Sequence, residues 1–269
     1  MSWPRTRLRA ERVAVYDFNN ALVRTPPRSV TGGLRAVDIG APSYEGVLAE
    51  HAAYVVALEA AGVAVEVLPA SEAYPDSVFV EDAAFVHGAT AILLRPGAAS
   101  RAGEAAEIAP VLVRRFDRVL TLEQGTAEGG DVLATPRCVF IGCSARTNVQ
   151  GAQALTDMLA AIGLKGFPVE TPRGVLHFKS DCSLLDEETI LCTGRLAASG
   201  VFDGFRVVLT PEGEEGAANA LRVNDRLLVS ASYPRTIEAL GALGFRVAPL
   251  VTREIAKVDA GLSCMSLRW

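Results

Sequence analysis

The sequence predicts an α/β fold in which about five similar units surround a common axis. A small polar or acidic residue repeatedly precedes a short apolar strand, at Asp82, Asp131, Asp181, Asn219 and Cys264. These residues are 38 to 50 positions apart, and recurrence at such intervals is typical of repeat architectures. If the units form a ring, the five residues lie near its centre. That arrangement would gather several carboxylates and one thiol in a single cleft.

The repeated unit consists of a strand, a hairpin and a helix that leads to the next strand. Helices of this kind are predicted over residues 43–61, 102–116, 147–162 and 234–243. Ser43 is a suitable cap for the first helix, and Gly62 is suited to end it. A ring of such units protects its sheet edges and leaves a central cleft. We expect residues 1–269 to form one domain, with residues 1–11 as an N-terminal extension.

The early part of the chain has less regular patterning than the rest. A first strand is predicted within residues 12–23, and a long loop follows over residues 25–42. A loop of this length with little periodicity is unusual unless it covers or forms a binding site. The sequence therefore predicts a lid or binding loop here.

Composition restricts the classes of partner. A net charge of −5 argues against nucleic acid as the main partner. The apolar stretch 52–68 is interrupted by Glu59 and Glu66, so no membrane span is expected. The five cysteines form no CxxC pair, and the first residues do not resemble a secretory signal. We therefore expect reduced thiols and a cytoplasmic location.

Two residues are candidates for nucleophilic and acid–base chemistry. Cys264 alone would be interpreted as a buried structural thiol, but its place in the repeat directs it to the centre. His177 lies in a predicted strand over residues 175–180, whose alternation turns it to the same face as Lys179 and Asp181. It is therefore the candidate catalytic base, with a hydrogen-bonded core histidine as the alternative.

Two acidic segments extend the candidate site. Glu128 precedes a pair of glycines and could hold the ring of a histidine; the alternative is a solvated turn residue. Glu81 and Asp82 follow an apolar pair and are expensive to bury unless they meet a cation. A planar guanidinium matches paired carboxylate oxygens. An arginine of the protein itself would satisfy the same pattern.

Seven segments, in order along the chain, resemble the dimethylargininase (dimethylarginine dimethylaminohydrolase) family of the amidinotransferase and arginine deiminase superfamily. They are PDSVFVED at 75–82, RPG at 95–97 with Ser100 and Arg101, EGGD at 128–131, SARTN at 144–148, LHFK at 176–179, YPRT at 233–236 and SCMSLR at 263–268. Gly33 and Leu34 extend the resemblance upstream. The resemblance implies a five-bladed α/β propeller, in agreement with the repeat count.

The resemblance also implies an activity and its catalytic residues. The activity would be hydrolysis of N-methylated L-arginine to L-citrulline and dimethylamine or methylamine, through a covalent cysteine thiouronium intermediate. Cys264 matches the nucleophile of the family, His177 the general acid and base, and Glu128 the acid that holds this histidine. No cofactor and no metal are expected.

The resemblance implies substrate contacts as well. Asp82 would bind the guanidinium with support from Glu81. The α-carboxylate would be held by Arg101 and Arg146. The α-amino group would be held by Asp76 and the backbone of Leu34. The expected partner is therefore a small cationic substrate, and a homodimer is left open.

Two alternatives remain at this point. Another guanidine-modifying hydrolase, such as an arginine deiminase, would use the same thiol chemistry on an unmethylated substrate. Arginine deiminases usually carry an added helical domain, for which this chain leaves no room. A non-catalytic binding protein on the same fold should lack the set of Cys, His and carboxylates that this sequence contains.

Overall fold

Five three-stranded sheets form the framework of the protein, in a computed structural model that describes residues 15–36 and 38–269. The strands, in chain order, are β1 (Asn20–Arg24), β2 (Ala64–Leu68), β3 (Ala84–His87), β4 (Thr90–Leu93), β5 (Arg118–Thr121), β6 (Val132–Ala134), β7 (Val139–Cys143), β8 (Gly166–Glu170), β9 (Cys182–Leu184), β10 (Thr189–Cys192), β11 (Arg206–Leu209), β12 (Leu221–Val223), β13 (Arg226–Ser230), β14 (Val247–Leu250) and β15 (Leu267–Arg268). The helices are α1 (Tyr44–Ala60), α2 (Glu104–Arg115), α3 (Val149–Ala160), α4 (Gly194–Ala197) and α5 (Pro234–Ala242).

All five sheets follow one pattern. An inner strand pairs antiparallel with a middle strand, and a helix then leads to an outer strand that is parallel to the middle one. The order is β3-β4-β5, β6-β7-β8, β9-β10-β11 and β12-β13-β14. In the remaining sheet, β15 from the end of the chain joins β1 and β2. The predicted α/β fold with five repeated blades is therefore confirmed.

Helix α1 shows how the sequence sets the element boundaries. The Ser43 side chain accepts a hydrogen bond from the backbone N–H of Gly46 at 3.2 Å, which caps the helix. Gly62 has φ +87°, a left-handed conformation that glycine adopts without strain. Both predicted ends are confirmed to within one residue.

Two boundaries differ from the predictions. The first strand begins only at Asn20, because Val15 and Tyr16 form a turn. Residues 12–14 of the predicted strand and the predicted extension over residues 1–11 lie outside the described residues. The second helix begins at Glu104 instead of residue 102, after a 3₁₀ turn at Ala99–Arg101. That residues 1–269 form one domain stays a prediction.

The apolar core consists of clusters that lie between neighbouring blades. In the blade of β6, β7 and β8, Leu155 and Leu159 of α3 are fully buried with Val139 and Ile141 of β7. Full burial of one such side chain contributes roughly 1.5–3 kcal/mol. The same cluster contains Phe85 and Ile92 of the preceding blade, so α3 packs between two neighbouring sheets. Among the described residues, no helix combines the length and apolar character needed to cross a bilayer.

The centre of the molecule is formed by five 3₁₀ turns, one before each inner strand. They span Val80–Ala83, Gly129–Asp131, Phe178–Ser180, Glu215–Ala218 and Ser263–Met265. Neighbouring turns contact one another, and we call them the central turns. The polar residues of the predicted repeat all lie in these turns or directly after them.

The central turns correct one prediction. Residues 175–180 do not form a strand; Phe178–Ser180 is a 3₁₀ turn and His177 is the residue before it. In a turn with about three residues per revolution, residues two positions apart do not share a face. His177 and Lys179 consequently face opposite sides of the central turns, contrary to the alternation that a strand would give.

Candidate active site

A pocket of about 320 Å³ opens on one side of the central turns. It is lined by Leu34, Asp76, Phe79, Asp82, Arg101, Arg146, Leu176, His177, Val258, Asp259, Ala260 and Cys264. Seven of the nine predicted site residues therefore line one pocket. The other two are Glu128, which lies behind His177, and Glu81, which faces away.

His177 is held by Glu128. The distance between His177 Nε2 and Glu128 Oε2 is 2.6 Å, and Glu128 is fully buried. The other carboxylate oxygen, Oε1, accepts hydrogen bonds from the Gly97 N–H at 2.9 Å and from Arg146 Nη1 at 3.4 Å. A Cβ atom at Gly130 would lie 2.7 Å from the His177 ring, so only glycine allows this close approach. The imidazole is fixed in orientation through Nε2.

The charge state of His177 follows from its surroundings. Burial alone would lower its pKa, but the carboxylates of Asp82 and Glu128 outweigh that effect and raise the pKa to about 9. At neutral pH the ring is therefore an imidazolium. In this state the His177 ring can donate a proton, and it can accept one only after it has donated.

The Asp82 carboxylate interacts with the charge of His177 and accepts a hydrogen bond from the guanidinium of Arg101. Its Oδ1 accepts a hydrogen bond from the Gly130 N–H at 2.7 Å, and its Oδ2 accepts one from Arg101 Nη1 at 2.6 Å. Burial would raise the pKa of Asp82, but His177 and Arg101 lower it overall. The carboxylate is therefore ionised, and it presents negative charge to the pocket.

Asp82, Glu128 and His177 also form a compact group in which one potential ligand atom of each lies within 4.8 Å of the others. Such a group could hold a metal ion. Hydrogen bonds within the protein already engage all three side chains. The expectation that the site uses no metal and no cofactor stays a prediction.

Cys264 lies in the central turn Ser263–Met265 and is only 6% exposed. Burial, with the negative charges of Asp82 and Glu81, raises the pKa of its thiol well above the ordinary value. The resting residue is therefore a thiol and not a thiolate. Its turn is anchored by Asn219, whose Oδ1 accepts a hydrogen bond from the Ser263 N–H at 3.1 Å.

Arg101 is mostly engaged by the protein itself. It is 3% exposed, and its Nε and Nη2 donate to the Glu104 carboxylate at 2.6–3.1 Å. Nη2 also reaches the carbonyl of Phe79 at 3.1 Å. Since a guanidinium has five N–H donors, little capacity is left for a ligand. The predicted role of Arg101, to bind the α-carboxylate of a substrate, stays a prediction.

Arg146 is the more accessible of the two arginines, with 16% of its side chain exposed. Its turn is fixed by Asp131, whose Oδ2 accepts hydrogen bonds from the hydroxyls of Ser144 at 2.7 Å and Thr147 at 2.6 Å. The Oδ1 of Asp131 accepts from the Phe178 N–H at 2.8 Å, next to His177. Asp131 therefore connects the turn of Arg146 to the backbone that carries His177.

Sequence reasoning did not assign this connecting role. The repeat singled out Asp131 and Asp181 as residues of the cleft, but neither lines the pocket. Asp181 instead pairs with Arg195, at 2.5 and 2.6 Å. Glu104, the partner of Arg101, was also missed. Its position three residues after Arg101 was the only signal in the sequence.

The early loop reaches the pocket through Leu34. The N–H of Leu34 donates to Asp76 Oδ1 at 3.0 Å, and the N–H of Ala36 donates to the carboxylate of Asp259. Burial raises the pKa of Asp76, against the opposing effect of Arg101. Of the described residues in the predicted loop 25–42, Leu34 therefore lines the pocket. That the loop acts as a lid stays a prediction.

The position of Glu81 corrects its predicted role. Its Oε1 accepts from Lys179 Nζ at 2.6 Å and from Arg268 Nη2 at 2.9 Å. Both cations lie on the side of the central turns opposite the pocket. Glu81 is therefore not placed to support a guanidinium beside Asp82.

Comparisons with known proteins agree with this arrangement. Residues 42–182 match the family model of N,N dimethylarginine dimethylhydrolase, eukaryotic. The N(G),N(G)-dimethylarginine dimethylaminohydrolase of Pseudomonas aeruginosa is 41% identical over 255 residues, which cover 94% of this chain and all of that protein.

Two solved structures of such enzymes are also similar to this chain. A cysteine-to-serine variant of the Pseudomonas aeruginosa enzyme, in complex with citrulline, superposes with a TM-score of 0.91 at 38% identity. A histidine-to-glycine variant of a dimethylarginine dimethylaminohydrolase, as an adduct with S-methyl-L-thiocitrulline, also gives 0.91, at 39% identity. Each covers 94% of this chain and the whole of the other. The chain belongs to the dimethylarginine dimethylaminohydrolase family of hydrolases.

Proposed function

We propose that this protein hydrolyses N-methylated L-arginine to L-citrulline, with release of dimethylamine or methylamine. The observation that carries the proposal is that the Cys264 thiol, the His177 imidazole and the Asp82 carboxylate line one buried pocket. A nucleophile, an acid and an anion for the guanidinium are the groups that this hydrolysis requires. The citrulline bound to the Pseudomonas aeruginosa relative supports the same product class.

The charges of the pocket suggest how the substrate would lie. Asp82 is ionised and would hold the guanidinium beside Cys264. Asp76 would bind the α-amino group together with the backbone of Leu34. Arg146 would bind the α-carboxylate, with a smaller part for Arg101 because Glu104 and Asp82 already occupy most of its donors. The substrate thus meets a charge of opposite sign at each end.

The first half of the reaction would form a covalent intermediate. The cationic substrate offsets the carboxylates that keep Cys264 protonated, so its thiol loses a proton to solvent as the substrate binds. The thiolate attacks the guanidinium carbon and gives a neutral tetrahedral adduct. His177, as imidazolium, donates its proton from Nδ1 to the methylated nitrogen. The C–N bond breaks, the amine leaves and a thiouronium remains on Cys264.

The second half would consume water. His177, now neutral, takes a proton from a water molecule, whose oxygen adds to the thiouronium carbon. The C–S bond then breaks, and the hydroxyl proton passes to the sulfur of Cys264. This step releases citrulline and restores both side chains. Glu128 keeps the ring in place in both halves, because it binds Nε2 and leaves Nδ1 to exchange protons.

The proposal is tested by measuring citrulline formation from asymmetric dimethylarginine, monomethylarginine and free arginine at equal concentrations. We expect higher kcat/KM for the methylated substrates. Preference for free arginine would favour an arginine deiminase-like enzyme and overturn the assignment. Cys264→Ser is the control for background hydrolysis.

We also propose that the protein acts in the reducing environment of the cytoplasm. All five cysteines are free thiols, and the proposed nucleophile must be reduced to react. Fractionation of the source cells tests this location. Recovery in an oxidising compartment would contradict it.

A further inference from the structure

A second and larger cavity lies on the side of the central turns away from the active-site pocket. Its volume is about 1550 Å³ including its mouth, and it shares no lining residue with the pocket. The inner strand of every sheet contributes to it: β3, β6, β9, β12 and β15. Much of its wall is aliphatic, with Ala84, Val132, Leu184 and Leu221. Clefts of this kind, with apolar walls and a few polar groups, are typical of small-molecule sites.

The floor of this cavity carries an ion cluster with excess positive charge. We call Glu81, Lys179 and Arg268 the ion triad. Lys179 and Arg268 both contact the same oxygen of Glu81, at 2.6 and 2.9 Å. Among the described residues, Glu81 is the only carboxylate within salt-bridge distance of either cation. Two nearly buried cations therefore share one carboxylate, and a net charge of this kind is stabilised by a further anion.

Unpartnered polar atoms lie in the residues around the ion triad. Arg268 Nε, Ser263 Oγ and the second carboxylate oxygen of Glu81, Oε2, are buried and have no hydrogen-bond partner, and the same holds for Ser183 Oγ on the wall. Ser263 and Ser183 are 5% and 7% exposed, and all four residues line the cavity. Buried donors normally have acceptors. The guanidinium N–H and the two hydroxyls are three donors against the one free oxygen of Glu81, so they are suited to a further acceptor that carries negative charge.

We propose that this cavity binds a small organic anion, with a carboxylate at the ion triad and an aliphatic body along the strand walls. The charge of the floor selects an anion over a neutral or cationic ligand. The apolar walls select a carboxylate with a hydrocarbon chain over a small inorganic anion. Octanoate represents this class.

The cavity is linked to the active-site pocket through adjacent residues. Glu81 precedes Asp82, Ser263 precedes Cys264, and Lys179 lies two residues after His177. A bound carboxylate adds negative charge behind Cys264 and opposes formation of its thiolate. On the proposed function, octanoate therefore lowers kcat without raising KM. Octanoate binding is measured without substrate turnover. Absence of octanoate binding would overturn the cavity proposal alone, and absence of citrulline formation would overturn the proposed function alone.

Trp269 lines the cavity and reports on its occupancy. The sequence has one other tryptophan, Trp3, so a Trp3→Phe protein leaves Trp269 as the single tryptophan fluorophore. We expect octanoate to change its fluorescence saturably. Octanamide, which has the same chain without the charge, should bind about tenfold more weakly or worse, the difference expected for a lost charge-assisted hydrogen bond. Acetate should also bind more weakly, because it lacks the chain.

Two variants locate the site. Lys179→Met removes one cation and leaves Glu81 paired with Arg268, and it should weaken octanoate binding about tenfold. Ala134→Phe fills the wall of the cavity and should weaken binding at least as much; Ala160→Phe at the exposed end of α3 is its matched control. Saturating citrulline should not displace octanoate. Displacement by citrulline, equal binding of octanamide, or unchanged affinity in Ala134→Phe would overturn the proposal.

Discussion

The two sides of the central turns differ in how their charges are balanced, although neighbouring residues supply both. On the pocket side, carboxylates of Asp82 and Glu128 surround His177 and hold it as an imidazolium. On the cavity side, Lys179 and Arg268 share the single carboxylate of Glu81. A 3₁₀ turn directs successive side chains to different sides. The chemical character of each side is therefore decided by backbone geometry, and composition alone does not reveal it.

Replacement of the nucleophile tests the pocket side most directly. Cys264→Ser should reduce citrulline formation by about 10⁴-fold or more, because a hydroxyl is far less readily ionised than a thiol in this buried position. Substrate binding should persist, since the carboxylates of the pocket are retained. Single-turnover citrulline assays and ligand-induced shifts in Tm measure the two effects. Residual turnover near the wild-type rate would exclude covalent catalysis at this residue.

Loss of the carboxylate behind His177 should have the next largest effect. Glu128→Gln keeps the shape of the side chain but removes its charge, so the pKa of His177 should fall. We expect kcat to decrease by about 10²- to 10³-fold. The alkaline limb of the pH–rate profile should also move to lower pH, because the proton donor is lost earlier. An unchanged alkaline limb would show that the charge of Glu128 does not set the protonation of His177.

The raised pKa of His177 also predicts a pH dependence of stability. The folded-state pKa, about 9, is above the ordinary value of 6.5. The protonated ring therefore stabilises the fold fully below pH 6.5, and this contribution disappears as the pH rises through about 9. A tenfold change in a proton-binding constant corresponds to about 1.4 kcal/mol, so the loss of stability is on the order of a few kcal/mol.

Urea denaturation of wild type and His177→Gln at several pH values isolates this effect. The difference in free energy of unfolding between the two proteins should be larger at pH 6 than at pH 9.5. Groups that do not interact with His177 titrate alike in both proteins and cancel in the difference. A difference that grows with pH would contradict the predicted protonation state.

Much of the fold and the site follows from the sequence because the signals are local. Repeated polar residues at strand entries predicted the five blades, and Ser43 with Gly62 predicted both ends of α1. The nearest residues to the reaction, Cys264, His177 and Asp82, were predicted partly from their place in that repeat and mostly from family resemblance.

What could not be predicted depends on turn geometry and on distant partners. The segment after Leu176 has the apolar–polar alternation of a strand but forms a 3₁₀ turn, so the prediction that His177 and Lys179 share a face was wrong. Glu81 next to Asp82 suggested one shared role, yet the turn separates them. Asp131 and Asp181 occupy equivalent repeat positions, and only the fold shows that their partners differ.

The difference between Asp131 and Asp181 gives the smallest predicted effect. Asp131→Asn loses charge-assisted hydrogen bonds from Ser144, Thr147 and the Phe178 N–H, and should lower kcat about tenfold by loosening His177 and Arg146. Asp181→Asn is the matched control: Asp181 directly follows the equivalent turn but pairs with Arg195, whose side chain is 51% exposed.

Steady-state citrulline assays distinguish a positioning role from a general loss of stability. Both variants should lower Tm by a few degrees, since each loses the charge of a fully buried carboxylate that accepts hydrogen bonds. Only Asp131→Asn should lower kcat and move the alkaline limb of the pH–rate profile to lower pH, because the Asp131 carboxylate helps to raise the pKa of His177. Equal losses of kcat in both variants would mean that any buried aspartate of the central turns supports the site, and that Asp131 has no special connection to His177. A loss confined to Asp131→Asn would instead show that one carboxylate, outside the pocket, aligns both His177 and Arg146.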